Sequence, residues 1–492
     1  MSFFVYLCSS FQQYERQNMQ EKIIGREQER KKLQEYLATE KSEFITIYGR
    51  RRVGKTFFVR DVVGDQACFS LTGMENADLK DQLANFFFTL RRVFPSAIHP
   101  RSWIEAFDEL QTYLEQLPAG RKILFFDELP WLDTTRSKFV SALERFWNGW
   151  ADGRGDVKMI VCGSATSWII DNIINNRGGL HNRRTHQIVI APFTLNESLR
   201  YFKTYGFGYR EKEIAECYMV MGGVAYYYSL MDSKESVAQN IDRLFFSSGG
   251  ELKNEFDNLY RSLFKKAEDY VLIVTALAKK NKGLTRKQIL EYTKLNNNNR
   301  FTAILEELEK CGFIRSYIPF GNTKRDVLFQ LTDAFTLFHF HFSQENKYQD
   351  EFFWTNSLNS PKYRAWSGYA YEILCLNHIK QIKQALGISG IQSRACCWVS
   401  RSEDGFKGAQ IDLLIDRADQ TVNICEMKFS SYEYEVTKRD DENFNNKIEA
   451  FLRQSKTKKS LMLTLITSFG VKPNIYSGRV QRQVSLKDLM EQ

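Results

Sequence analysis

Nowhere does the sequence hold the run of roughly 18 apolar residues that a membrane-spanning helix requires, so no part of it is placed in a bilayer. Its opening stretch, MSFFVYLCSS, is apolar but short. It lacks a basic start and is not followed by a small-residue cleavage site, which argues against a secretory signal. Nine cysteines are scattered without a single C-x-x-C pair. That absence excludes a zinc knuckle and a disulfide framework, and a reducing, cytoplasmic setting fits it. Histidine is scarce too, with six residues. His339 and His341, which alternate with phenylalanine in FHFHF, read as a packing site in a buried strand or helix and not as metal ligands.

What is present is ordinary for a globular chain: 43% hydrophobic and 26% charged residues. Its 492 residues leave room for about two to four domains. The formal charge of +9 fits a polyanionic partner, as it also fits many mildly basic nucleotide-binding proteins.

Residues 44–56 read FITIYGRRRVGKT. Phe44, Ile45, Ile47 and Tyr48 form a short β-rich apolar run that Gly49 breaks, so a buried strand enters a turn. From Gly49 to Thr56 the spacing is G-x-x-x-x-G-K-T. In such a loop, backbone N–H groups curl round an anion and the following helix aims its positive end at it. Gly49, Arg50, Arg51, Arg52, Val53 and Gly54 would form the cradle, Lys55 would reach the β/γ-phosphates, and Thr56 would ligate Mg²⁺. The plain alternative is a basic turn with two glycines.

RKILFFDELPWLD (121–133) ends an apolar strand in two adjacent carboxylates, as in an α/β sheet whose ligand sits at the strand tips. Asp127 would hold the Mg²⁺ shell and Glu128 would polarise the attacking water, unless both merely solvate a strand end. VKMIVCGSATSWI (157–169) repeats the design and brings Ser164 to a tip, either as a γ-phosphate sensor or as an ordinary turn serine. Arg183 and Arg184 precede another strand. Arg183 is the candidate to meet transition-state charge, and a surface arginine is the alternative for either.

IIGREQERKKL, YGRRRVGKT, ILFFDELPWLD, VCGSATSWI and NRRTHQIVIAPF occur in an order that resembles the archaeal-type ATPase family, a branch of P-loop NTPases similar to AAA and STAND proteins. The resemblance covers roughly residues 21–230. It implies ATP as nucleotide and a Mg²⁺-dependent ATPase cycle. Gly222 and Gly223 fall in what the resemblance makes a helical lid.

Between 266 and 345 three helical patterns, EDYVLIVTALAKKNKG, LTRKQILEYTK and NRFTAILEELEKCGFI, precede two alternating runs with a Gly-Asn turn between them. Thr285 and Gln288 have capping-box spacing. Three helices and a hairpin make a winged helix, with the third helix available to a major groove and Arg315, Lys324 and Arg325 near the wing. Internal docking against the ATPase is the alternative.

The last 130 or so residues begin with a helix carrying Glu372, followed by AQIDLLID and TVNICEMKFS, a hairpin pattern joined through RADQ. Glu426 and Lys428 share a face, and Asp412 comes from the partner strand. Such carboxylates bind a hard Mg²⁺, and a nearby ammonium orients the attacking water. The set resembles the restriction-endonuclease-like PD-(D/E)XK core, with Glu372 matching the helix acid, Asp412 the first strand acid and Glu426-Met427-Lys428 the E-x-K. Asp412 follows Gln410-Ile411 where that pattern has a proline.

The expected fold class is thus α/β, a P-loop NTPase core with a helical lid, a winged helix and a C-terminal restriction-endonuclease-like domain. The boundaries read as an N-terminal tail (1–20), ATPase core (21–200), lid (201–264), winged helix (265–345), linker (346–360) and nuclease-like domain (361–492). The expected function is ATP hydrolysis with Mg²⁺, acting on DNA, with metal-dependent cleavage through Glu372, Asp412, Glu426 and Lys428. A homo-oligomer is a further expectation. The rival is a nucleotide-dependent regulator whose last domain binds a partner or DNA without cleavage.

Overall fold

The computed structural model describes residues 23–164, 166–174, 185–264, 266–322, 326–400 and 408–491. After a first helix, α1 (Glu27–Ala38), the chain forms β1 (Glu43–Tyr48), α2 (Lys55–Val63), β2 (Ala67–Thr72), β3 (Lys122–Asp127), β4 (Val157–Gly163) and β5 (His186–Val189). These strands assemble in the order β2-β3-β4-β1-β5, every pair parallel.

Their composition explains why. A parallel sheet is covered on both faces, so each strand must be apolar on both sides of the pleat. Accordingly Ile45, Ile47, Ile123, Phe125 and Ile160 face one core with Leu33 of α1 and Phe58 of α2. Phe44, Leu124, Phe126, Met159 and Val161 face the other, with residues of the helices Leu79–Arg91 and Trp103–Gln116. The acid at the end of β3 and the loop after β1 therefore emerge at the same edge, the C-terminal ends of the strands.

Helices Leu195–Thr204, Glu211–Met221 and Glu255–Leu263 follow the sheet. Three more, Ala267–Ala278, Arg286–Thr293 and Asn299–Lys310, precede the antiparallel strands β7 (Ile314–Tyr317) and β8 (Leu328–Leu331), with the short β6 (Leu284–Thr285) on the other side of β8. The Thr285–Gln288 capping box is in place. FHFH is helical, at the end of Ala334–His341, and the last residue, Phe342, is its C-cap. His339 stacks on Phe256, and burial lowers its pKa to about 4.

The stretch 346–360, expected as a linker, anchors to the core through one buried residue. Its helix Phe353–Ser357 buries Trp354 against Phe338, Phe342 and Trp366. Asp242 accepts hydrogen bonds from the amides of Trp354 and Thr355. An aromatic of this size contributes too much on burial to be left in solvent.

The C-terminal sheet has the order β15-β13-β11-β10-β9. Strands β9 (Ser393–Val399), β10 (Gln410–Arg417) and β11 (Thr421–Lys428) are antiparallel; β13 (Ser460–Thr467) and β15 (Arg482–Ser485) continue parallel to β11. The short β12 (Tyr434–Glu435) and β14 (Val471–Lys472) pair with each other outside it. One sheet face packs Leu413, Ile415, Cys425 and Met427 into a core continuous with the helices of residues 195–341, and the other packs Ile411, Leu414 and Ile424 against Phe444 and Phe451. Among the described residues no helix is long and apolar enough to cross a membrane.

Candidate functional site

The loop between β1 and α2 owes its shape to its glycines. Gly49 has φ 154°, and a Cβ there would lie 2.0 Å from the Ile190 carbonyl oxygen, so only glycine fits between β1 and the end of β5. Gly54, at φ 89°, turns the chain into α2. The Lys55 ammonium is buried and donates to the Arg50 carbonyl at 2.9 Å, and the Thr56 hydroxyl donates to Asp127 Oδ2 at 2.8 Å. Thr56 and Asp127 thus offer hard oxygen donors side by side at a helix start, a donor set that fits Mg²⁺.

Glu128 follows in the left-handed region, φ 45°. Its carboxylate accepts from the Ser164 amide at 3.0 Å and the Ser164 hydroxyl at 2.8 Å. Strand order explains the meeting, since β3 and β4 are neighbours and both tips rise beside the loop. Arg183 and Arg184 lie outside the described residues.

A cavity of about 360 Å³ opens above the loop, lined by Gly54, Lys55, Thr56 and Glu128 and closed by Ile24, Arg26, Tyr201, Tyr205 and Tyr226. None of these last five was singled out as a site residue. The only sequence signal was IIGRE, which supplies Ile24 and Arg26; the tyrosines come from the helices Leu195–Thr204 and Ala225–Ser229 and the cap of the first, whose approach no spacing reveals. Arg26 lies over the Phe193 ring and donates to the Ala191 carbonyl, while burial lowers its pKa.

The three loop arginines do not converge on the cradle with their side chains. Arg50 pairs with Asp333, whose side chain is 0% exposed, and lies over the Phe313 ring. Burial alone would push its guanidinium pKa down, but Asp333 holds it above the usual value. Arg51 meets Glu75, whereas Arg52 meets Glu255 at 2.7 Å and stacks on Tyr226. Only Arg52 also lines the cavity. The sequence reading of Arg50 as a phosphate residue is thus restricted to its backbone, because Asp333 provides a buried countercharge that attracts the side chain away.

Near the C-terminal sheet, the helix Pro361–Asn377, which carries Glu372, packs over β11. The β10/β9 register slips between Ile411 and Leu414, so Asp412 and Leu413 together oppose Cys397. Such a bulge re-aims a side chain. The β10/β11 ladder pairs Leu413 with Cys425, so Asp412 and Glu426 come next along it. Glu426 is buried, ion-paired with Lys447 of the helix Lys438–Ser455 and 3.9 Å from Lys428. Burial, then the charges of Asp412 and Glu426, raise the Glu372 carboxyl to about 8.

The predicted carboxylates and Lys428 therefore share one electrostatic neighbourhood, joined by Lys447, which sequence reasoning missed because it lies on a separate helix. The donors are all oxygen, in kind suited to a hard cation. As they stand, however, no group of three or more His, Cys, Asp or Glu side chains among the described residues is arranged to hold a metal ion. Lys447 occupies Glu426, and Gln410 donates to Asp412.

Arg315, read as a wing contact, turns inward. Its Nε donates to Gln330 at 2.8 Å, the guanidinium lies over Tyr317, and burial lowers its pKa despite nearby Asp412. The chain beyond β7 docks on the edge strand β9, with the Phe320 amide donating to the Cys397 carbonyl and its ring against Phe451. Lys324 and Arg325 lie outside the described residues.

Residues 23–231 match the family model described as "ATPase domain predominantly from Archaea". This portion of the chain is similar to archaeal-type ATPase domains and holds the parallel α/β sheet. An uncharacterized protein of Methanocaldococcus jannaschii is 25% identical over 65% of this chain and 68% of its own length. Among solved structures, the Walker-type ATPase of Pyrococcus abyssi is 20% identical, with a TM-score of 0.45 over 65% of this chain and 96% of that one. The Aeropyrum pernix ORC2 protein, solved in ADPNP-ADP complexes, is 13% identical, with a TM-score of 0.40 over 66% and 94%.

Proposed function

We propose that the protein binds ATP above the loop 49–56, hydrolyses it, and couples this cycle to work on DNA by its later segments. The observation that carries the reading is a cavity lined by Lys55, Thr56 and Glu128, with Asp127 bonded to Thr56 and Ser164 to Glu128, in the stretch that matches an archaeal-type ATPase domain. Backbone amides and Lys55 would hold the phosphates, and the tyrosine-lined end would take the base. Thr56 and Asp127 would hold Mg²⁺, which supplies charge neutralisation at the phosphates. Glu128 would accept a proton from water once its carboxylate leaves Ser164. A Glu128→Gln protein should bind nucleotide normally and turn over about 10² to 10⁴ times more slowly. A Lys55→Ala protein should lose affinity, since a charge-assisted contact disappears. Unchanged turnover in Glu128→Gln rules out its role as base.

Residues 267–331 form the winged helix in this reading, supported by three helices and an antiparallel hairpin in that order. The C-terminal domain would hydrolyse phosphodiesters with Asp412 and Glu426 holding a divalent cation and Lys428 orienting water. Clustering of Glu372, Asp412 and Glu426, in which burial and the two neighbouring charges raise the Glu372 carboxyl, supports it. The Lys447–Glu426 pair favours a second reading, in which the domain binds without cutting. DNA cleavage in Mg²⁺ or Mn²⁺, lost in Asp412→Ala while ATP hydrolysis survives, decides for the first.

A further inference from the structure

Positive charge is concentrated at one place in the middle segment. Between positions 279 and 294 the chain holds six cations, Lys279, Lys280, Lys282, Arg286, Lys287 and Lys294, against one carboxylate, Glu291. Lys279, Lys280 and Lys282 stand on the turn between the helix Ala267–Ala278 and β6, and all three are exposed. Their ammonium groups have no ion-pair or hydrogen-bond partner among the described residues. The backbone beneath them is held. The Gly283 amide donates to the Lys280 carbonyl at 2.8 Å, Gln330 Nε2 to the Asn281 carbonyl at 2.7 Å and the Tyr317 hydroxyl to the Lys282 carbonyl at 2.5 Å. Tyr317 and Gln330 belong to β7 and β8, so the turn is fixed to that hairpin, and Arg394 of β9 donates to the Ile318 carbonyl at 2.9 Å, which ties the hairpin to the C-terminal sheet. Like charges kept this close repel one another in the free chain, and an arriving polyanion relieves the repulsion.

The third helix of the segment, expected to read a major groove, is engaged elsewhere. Asn299–Lys310 packs against the helix Thr166–Ile169, and Lys310 pairs with Asp171 at 3.0 Å. Its exposed side carries Glu306 and Glu309. That half of the helix repels phosphates, and the cations lie on the turn and the helix before it.

The chemistry of the turn also separates the possible partners. Lysine is depleted at protein–protein interfaces, and an element that lies on a membrane surface sets apolar side chains beside its cations. This turn exposes none, and Leu284 after it is buried. Nor does the turn expose an aromatic ring on which unpaired bases could stack. Lysines with nothing apolar between them match the closely spaced charge of a duplex, one for about every 1.7 Å of its axis.

We propose that the turn 279–282, with Arg286 and Lys287 beside it, is a docking surface for the phosphate backbone of double-stranded DNA. The inference rests on the reading that the chain acts on DNA, and it adds where the duplex is held and by what chemistry. Phosphate contacts position a duplex but carry no sequence information, so binding at this surface is indifferent to sequence.

Anisotropy of a fluorescent duplex with the full chain, followed through a salt series, tests this. Each phosphate contact contributes about 0.9 to the slope of log affinity against log salt. Lys279→Ala combined with Lys280→Ala and Lys282→Ala should flatten the slope by about two to three units and weaken binding on the order of 10²-fold at about 0.1 M salt. Lys279→Arg combined with Lys280→Arg and Lys282→Arg should keep both. The urea midpoint should be the same in all three proteins, because the ammonium groups being replaced are unpartnered, and duplexes of unrelated sequence should bind alike. The surface is refuted if the triple alanine variant keeps the wild-type slope and affinity, or if it loses binding to anionic phospholipid vesicles while duplex binding persists. Either result leaves the reading that the chain acts on DNA in place; a wild-type chain that binds no duplex at any salt concentration overturns both.

Discussion

Replacing Asp333 by asparagine tests whether a loop arginine has been diverted into the core. The Asp333 side chain is wholly buried, Arg50 is nearly so, and the two are ion-paired. Asp333 also begins the helix Ala334–His341, accepting from the Thr336 amide at 2.9 Å and the Thr336 hydroxyl at 2.6 Å. Asparagine retains a capping oxygen, so Asp333→Asn removes the charge and leaves most of the cap. The guanidinium is then stranded. Among the described residues two of its nitrogens, Nε and Nη2, already lack a hydrogen-bond partner, and it lies over the Phe313 ring. Breaking a buried pair on one side costs about 3–5 kcal/mol, whereas replacing both members by neutral side chains is often close to neutral. Asp333→Asn should therefore lose about 3 kcal/mol or more, and adding Arg50→Met should recover most of that loss. Urea unfolding followed by tryptophan fluorescence measures the total. Amide exchange in residues 334–341 locates it. A cost under about 1 kcal/mol, or a double variant as unstable as the sum of the singles, refutes the reasoning.

Four further outcomes follow from other sites. The Glu372 carboxyl titrates near 8 instead of its ordinary 4.5, so the native state keeps a proton that the unfolded chain has released. Its contribution to stability is full below the ordinary value and is lost as pH rises towards 8; Glu372→Gln should flatten that decline in denaturation midpoints, and an unaltered pH slope counts against the shift. Arg315→Ala should destabilise the chain yet leave the salt dependence of DNA binding untouched, because the guanidinium is turned towards Gln330 and Tyr317. By contrast, Lys324→Ala with Arg325→Ala should reduce the slope of log affinity against log salt by about one unit per lost phosphate contact. Lys447→Met should raise the affinity of the C-terminal domain for Mn²⁺ in calorimetry, since the ammonium competes for Glu426; equal affinities would remove Lys447 from that account.

Local chemistry was enough to read the loop at 49–56, the acidic end of β3 and the serine end of β4. Each depends on a few adjacent residues, and a strand followed by a turn presents them in one way. The Thr285–Gln288 cap and the β10–β11 hairpin were legible for the same reason, as patterns spanning a handful of positions. The partners of Arg50 and Arg315 were not. A charge settles where burial and countercharge are most favourable, and Asp333 and Gln330 become neighbours only after the middle segment has folded back. Lys447 and the tyrosines over the cavity likewise arrive on helices whose packing angles are set by the whole core. The sequence by itself determined which strands carry chemistry at their tips. Only the tertiary structure decided which side chains from distant elements face those tips, because that choice is made by the burial of surfaces far apart in the chain.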